Sequence, residues 1–243
     1  MAALIEAAGP FRLHPQECDS PFRHLAEAIV SQQISGRAAT AILGRFVASF
    51  LQDQRNISRR RSRKGDATID FFPSPEAVLG AKESKLRAAG LSSAKVEAIY
   101  DLAAKTVEGV VPSTLLLRTL DDEEVIDRLT VVRGVGRWTV QMMLMFQLGR
   151  ADVLPTADYG VRNGFRIAYR RRSLPTPGEL QRFGERWAPY RSAAAWYLWR
   201  AVDLEKAGVE WTRPRVVSSQ LSGAARPRDV DVAPRRRLGE RTR

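Results

Sequence analysis

Apolar residues recur along most of the chain at intervals of three and four, the spacing of one helix face, and strict alternation is rare. In SGRAATAILGRFVASF, Ala38, Ile42, Phe46 and Phe50 lie four apart. DSPFRHLAEAIVSQ begins with Asp19 or Ser20 as a cap and Pro21 in the first turn, both signals of a helix start. Ser-Pro-Glu at 74–76 repeats that signal. AAGLSSAK predicts a helix end at Gly90, a new cap at Ser92 or Ser93, and a helix running to about Gly109. DDEEVIDRL precedes a glycine-rich turn, and a helix from about Arg137 to Leu148 follows it. Further helices are expected over 158–171, 177–187 and 191–206, the second opened by Thr176-Pro177. The basic stretch 53–66 has no periodicity and reads as a loop. The pattern predicts an all-α fold with no internal repeat.

The turn itself, LTVVRGVGRWTV, sets Gly134-Val135-Gly136 between two helices. Glycine permits positive φ and close backbone approach. The helix that follows offers unpaired N–H groups and the positive end of its dipole to an anion. Arg133, Gly134, Val135 and Gly136 thus outline a cradle for one phosphate. The plainer alternative is a helix connection that merely needs two glycines.

Charge favours the cradle. The 243 residues carry a net +12, with pI near 10.6, which suits a polyanionic partner, nucleic acid first. Between Thr212 and Arg243 nine arginines face only Asp229, Asp231 and Glu240. That segment, rich in Arg, Pro and Ser, reads over 213–243 as a disordered basic tail. The rest of the excess gathers at Arg55 to Lys64 and at Arg170, Arg171 and Arg172. Cys18 is the single cysteine, and His14 and His24 are the two histidines. The chain therefore has no material for an internal disulfide, a cysteine zinc site or an iron–sulfur cluster. The N-terminus lacks a basic region ahead of an apolar stretch, and no apolar run approaches the roughly 20 residues of a membrane span. The expected setting is cytoplasmic and nucleoid-associated.

The hairpin, followed by DVLPTADYGVRNGFRIAY, resembles the helix–hairpin–helix (HhH-GPD) DNA glycosylase superfamily, and within it the bacterial 3-methyladenine DNA glycosylase II branch. IVSQQISGRAATAI (29–42), AAGLSSAK (88–95) and WAPYRSAAAWYLWR (187–200) match in the same order, so the resemblance covers about residues 18–206. It implies two helical subdomains flanking a DNA-binding cleft: 18–150, containing the hairpin, and 1–17 with 151–212. The chain before SQQIS is too short for the N-terminal β-domain of some members. The tail and the Arg-rich segment lie outside the matching pattern.

The resemblance also implies chemistry. The essential acid of the superfamily follows a Pro-containing loop at a helix start, and Asp158 in LPTADYG fits, 22 positions beyond Gly136. Read alone, Asp158 is an ordinary helix cap; as a catalyst, its carboxylate would stabilise an oxocarbenium-like sugar and orient water. Asp152 is its nearest rival, but it precedes the Leu-Pro turn. No histidine lies near this segment in the sequence, which suits a base that is already cationic and leaves readily. Trp138 and Trp199 match pocket aromatics, whose electron-rich rings suit such a base. Met142 shares a helix face with Trp138; Tyr197 is a further pocket candidate, and Trp196 reads as core. Gln33 is the expected plug for the vacated duplex space, with Gln32 the alternative and helix-end hydrogen bonding the plain reading of both. Relatives also hold a monovalent cation on hairpin carbonyls such as those of Arg133 to Gly136. In bifunctional members the residue two beyond the second hairpin glycine is a lysine nucleophile; here it is Trp138, and none of the six lysines falls between Lys105 and Lys206. The expected function is thus monofunctional excision of alkylated bases from double-stranded DNA, by a monomer without a cofactor.

Overall fold

Among its described residues (1–15, 20–59, 71–209 and 211), the computed structural model contains twelve α-helices and one 3-10 turn, with no strand. The helices are α1 (Ala2–Ala8), α2 (Pro21–Ser31), α3 (Gly36–Arg59), α4 (Pro75–Leu79), α5 (Glu83–Ala88) and α6 (Ser93–Val107). They continue with α7 (Thr114–Thr119), α8 (Asp122–Thr130), α9 (Arg137–Phe146), α10 (Tyr159–Ala168), α11 (Pro177–Gly184), the 3-10 turn Glu185–Trp187, and α12 (Arg191–Lys206). The all-α expectation holds. None of these helices is long and apolar enough to cross a membrane.

Local sequence explains most of the boundaries. Ser20, Ser74, Ser92 and Ser113 each accept a hydrogen bond from the backbone N–H three residues on. Asp121 with Glu124, and Thr176 with Glu179, form reciprocal capping boxes at α8 and α11. Of the two caps the sequence offered α2, Ser20 serves, and Asp19 lies outside the described residues. One expectation fails: the basic stretch from 53 is not loop throughout, because α3 continues to Arg59. Leu51, Gln52, Gln54 and Arg55 are good helix formers and favour continuation of the helix. Residues 60–66 and the tail 213–243 lie outside the described residues.

Residues 1–211 form one compact unit. Its core joins the buried stripes of α2 (Phe22, Leu25, Ile29), α3 (Phe46, Phe50), α6 (Val96, Ile99, Leu102) and α9 (Val140, Met143, Leu144) to Phe165 and Leu198. α10 and α12 cross so closely that a Cβ on Gly164 would lie 1.9 Å from the Leu198 carbonyl oxygen. A helix that the periodicity does not announce, α1, buries Leu4 against Tyr197 and Ala201 of α12, and the Tyr197 hydroxyl donates to the Gly9 carbonyl at 3.1 Å.

Candidate active site

Three donors converge on Asp158, the N-cap of α10. Its Oδ1 accepts from the Val161 amide at 2.7 Å and from Trp199 Nε1 at 2.9 Å, and its Oδ2 accepts from Trp138 Nε1 at 2.8 Å. The first bond is ordinary capping. The other two come from different helices, α9 and α12, and neither is needed to start α10. A half-buried carboxylate held by three N–H groups is fixed in position, with a lone pair left on Oδ2. Trp199 can approach because residue 160 is glycine: a Cβ there would lie 2.8 Å from Trp199 Cδ1 and 3.1 Å from Asp158 Oδ1.

Asp152 is committed elsewhere. It takes both Nε and Nη2 of Arg191, at 2.7 and 2.8 Å, and also the Arg191 amide. Hydrogen bonding from the Arg191 side chain holds its carboxyl below the usual carboxylate range, against the opposing effect of burial. This pair fixes the start of α12.

A cavity of about 610 Å³ runs between α2 and α9; Asp158 does not line it and is joined to it through Trp138. Trp138, Met142 and Phe146 form one wall, and Leu25, Ala28 and Gln33 belong to the other side. Trp138 is thus shared, its ring 46% exposed and its nitrogen on Asp158. Trp199 does not line this cavity; it stacks on Phe146 with centroids 5.9 Å apart. Trp196 and Tyr197 lie away from it, packed with Phe11. Among the lining residues that escaped the sequence reading are His24, Glu27, Phe146 and Gln147. Histidine is therefore not distant from this region in space. His24, Glu27 and Ser31 fall at i, i+3 and i+7 on α2, a helical stripe that ends at the SQQIS segment, and that spacing was the available signal.

The two glutamines differ. Gln32 Nε2 donates to the Gly134 carbonyl at 2.8 Å, and Lys95 Nζ donates to the Gln32 carbonyl at 2.9 Å and to that of Val30 at 2.6 Å. Burial lowers the pKa of Lys95. Gln33 stands exposed at the cavity mouth with φ 59°, the left-handed region that side chains rarely adopt.

In the hairpin, Gly134 has φ +77°, which glycine adopts freely. Val135 is buried and pins the turn to the core. Unlike α8, α10 and α11, α9 has no side-chain cap, and its first helical bond runs from the Val140 amide to Gly136 O. The amides of Arg137, Trp138 and Thr139 have no partner within the helix, which leaves an anion-binding N-terminus. The hairpin arginines are already paired, Arg133 with Glu97 and Arg137 with Glu123. The Arg133 amide donates to Asp101 at 2.7 Å. Burial would raise the Asp101 pKa, but this amide and the Lys105 ammonium lower it on balance. The anion donors are therefore backbone groups beyond Arg133. Two of the four carbonyls considered for a cation already accept hydrogen bonds, Gly134 O from Gln32 and Gly136 O from Val140. Each of these carbonyls keeps a second lone pair.

Residues 26–189 match the family model for the HhH-GPD superfamily base excision DNA repair protein. The chain is 35% identical over 212 residues to DNA-3-methyladenine glycosylase 1 of Schizosaccharomyces pombe, spanning 87% of this chain and 84% of that one. It is 30% identical to DNA-3-methyladenine glycosylase 2 of Escherichia coli over 65% of this chain and 54% of that one. Among solved structures it is similar to the S. pombe 3-methyladenine DNA glycosylase in complex with abasic DNA, with a TM-score of 0.65 and 36% identity over 82% of this chain and 89% of that one. A DNA-3-methyladenine glycosidase from Bacillus halodurans gives a TM-score of 0.70 and 32% identity, covering 85% of each chain.

Proposed function

Because the chain belongs to the HhH-GPD superfamily of base excision DNA repair proteins, we propose that it is a monofunctional N-glycosylase that extrudes alkylated purines of the 3-methyladenine type from duplex DNA and hydrolyses their glycosidic bonds. One observation carries this reading. A carboxylate is held by two indole N–H groups from separate helices, and one of those indoles, Trp138, also walls a cavity large enough for a base.

Each part then has a task. Residues 18–150 form one wall of a DNA-binding cleft, and 1–17 with 151–212 form the other. The open N-terminus of α9 grips one backbone phosphate, which positions the duplex without reading sequence. Gln33 fills the space the extruded base leaves, while Gln32 stays fastened to the hairpin. The base stacks on Trp138, with Met142 beside it, at roughly 0.5–2 kcal/mol for a cation on an aromatic face. As the glycosidic bond breaks, positive charge develops on the sugar and Asp158 stabilises it. Water oriented by the same carboxylate completes hydrolysis and leaves an abasic strand. A purine alkylated on a ring nitrogen already carries the charge that a general acid would supply. Trp138 supports hydrolysis over lyase chemistry, since an indole nitrogen cannot form a Schiff base. The protein works as a monomer in the nucleoid.

The test is release of free bases from N-methylated duplex DNA, identified by chromatography and mass spectrometry. Methylated purines in the supernatant, with alkali-labile but unbroken strands left behind, are expected. DNA binding without any base release would instead favour a non-catalytic clamp.

A further inference from the structure

The cavity is longer than one ring requires, and its two ends differ. At the mouth stand Trp138 and Gln33; toward the C-terminal end of α9 stand His24, Glu27 and Gln147. Gln147 immediately follows the last residue of α9, its backbone amide donating to the Met143 carbonyl at 2.9 Å. Its side-chain oxygen Oε1 is buried and has no hydrogen-bond partner. A buried acceptor left unpaired is costly, and in a ligand cavity it marks where a donor belongs. The terminal amide torsion of glutamine is soft, so this oxygen can swing into the cavity by rotation about one bond.

The neighbouring polar groups also favour a donor. The Glu27 carboxylate, held by Arg23 Nε at 2.9 Å, adds negative charge from the α2 side of the cavity. The Ser31 hydroxyl has spent its proton on the Glu27 carbonyl at 2.7 Å. Met142 and Phe146, on the α9 side with Gln147, offer no hydrogen bond to a ring substituent.

We propose that Gln147 accepts a hydrogen bond from the exocyclic amino group of the extruded base, so that the cavity favours 6-amino over 6-oxo alkylpurines. This rests on the reading of the cavity as the base pocket. Alkylation of the ring withdraws electrons from the amino group and makes it a stronger donor. A 6-oxo group would set oxygen against oxygen and leave Gln147 unpaired, the arrangement by which polar sites reject an analogue that lacks the matching group.

The test compares release of 3-methyladenine and 3-methylguanine from the same methylated duplex. Both carry the methyl group on N3 and the same positive charge, so stacking on Trp138 does not separate them. Gln147→Leu should lower the 3-methyladenine to 3-methylguanine ratio by about tenfold, the worth of one hydrogen bond to a group otherwise left unpaired. It should not lower Tm, because it removes an orphaned buried oxygen. Gln147→Glu keeps an acceptor and should keep the preference, which provides a second measurement should the leucine variant not fold. An unchanged ratio in Gln147→Leu, equal loss of both bases, or loss of the preference in Gln147→Glu would overturn the proposal. A folded wild type that releases neither base would overturn the glycosylase reading itself; release of both at a ratio indifferent to Gln147 would overturn this inference alone.

Discussion

Gly160→Ala offers a way to disturb the carboxylate without changing its charge, chiefly through Trp199, since the new Cβ would lie closer to that indole than to Asp158 Oδ1 at 3.1 Å. The new Cβ would lie 2.8 Å from Trp199 Cδ1 and 3.0 Å from Nε1, where carbon contacts settle at about 3.5–4.0 Å. The indole must therefore retreat by about 0.7–1 Å, and its 2.9 Å bond to Asp158 opens past the roughly 3.5 Å at which a hydrogen bond ceases. Asp158 keeps the Val161 amide and Trp138. A hydrogen bond to a charged group is worth about 1.5–3 kcal/mol, so single-turnover excision should slow by roughly 10- to 100-fold. Stability should move little, because alanine in place of glycine favours a helix by about 1 kcal/mol and offsets part of an overpacking cost of about 1–3 kcal/mol. The measurements are release of 3-methyladenine at saturating enzyme and Tm by circular dichroism. Gly164→Ala is the contrast: its Cβ meets backbone, at 1.9 Å from Leu198 O, which cannot rotate away, and the variant should unfold or lose much of its Tm. A folded Gly160→Ala protein with wild-type excision would refute the claim that Trp199 holds Asp158 for catalysis.

Asp158→Asn should nearly abolish base release, with duplex binding retained; because either amide orientation sets an NH₂ against an indole N–H, adding Trp138→Phe should restore Tm more than activity, and recovery of full turnover would remove Asp158 from the mechanism. Borohydride should trap no covalent protein–DNA adduct on a lesion duplex, and efficient trapping would overturn the reading of Trp138. Gln33→Ala should impair excision more from a fully paired site than from one where the lesion is already unpaired, whereas equal loss on both would make Gln33 structural. Asp152 has a folded pKa below its reference value of 3.8, so its stabilisation is present above that pH and is lost as pH falls through the depressed value. Asp152→Asn should accordingly lower Tm at neutral pH and lose most of that effect in strong acid; a Tm penalty independent of pH would show that the carboxylate charge is not what matters.

The all-α class and most helix starts were legible because they depend on near neighbours: a serine or threonine, a proline after it, a periodic apolar face. The hairpin turn and the Asp158 helix cap were legible for the same reason, each being a short segment with its own local signals. What brings Trp199 to Asp158 was not, since it depends on α12 crossing α10 at two glycines far from Trp199 in sequence. Gln147 stayed hidden because nothing near it in sequence marks it, and although His24 shares a helical stripe with Glu27 and Ser31, only the packing of α2 along α9 puts His24 and Gln147 on one cavity. The residues past Leu51 show the converse limit, where intrinsic propensity carried α3 on after the apolar pattern had stopped. The glutamine pair was undecidable from SQQIS alone, because both side chains have the same chemistry and only the left-handed backbone at Gln33 separates their directions.

That separation gives the protein a ruler. Gln32 is fastened to Gly134 and its carbonyl to Lys95, so Gln33 sits at a fixed span from the open end of α9. If one end of that span grips a phosphate and the other enters the helix of base pairs, the distance between them counts nucleotides. The lesion must lie a set number of steps along one strand from the gripped phosphate, on one side only. The footprint is then lopsided, and a single missing phosphate at that step would matter far more than its mirror image across the lesion. Polarity of approach along a strand would thus be built into one amide-to-carbonyl contact.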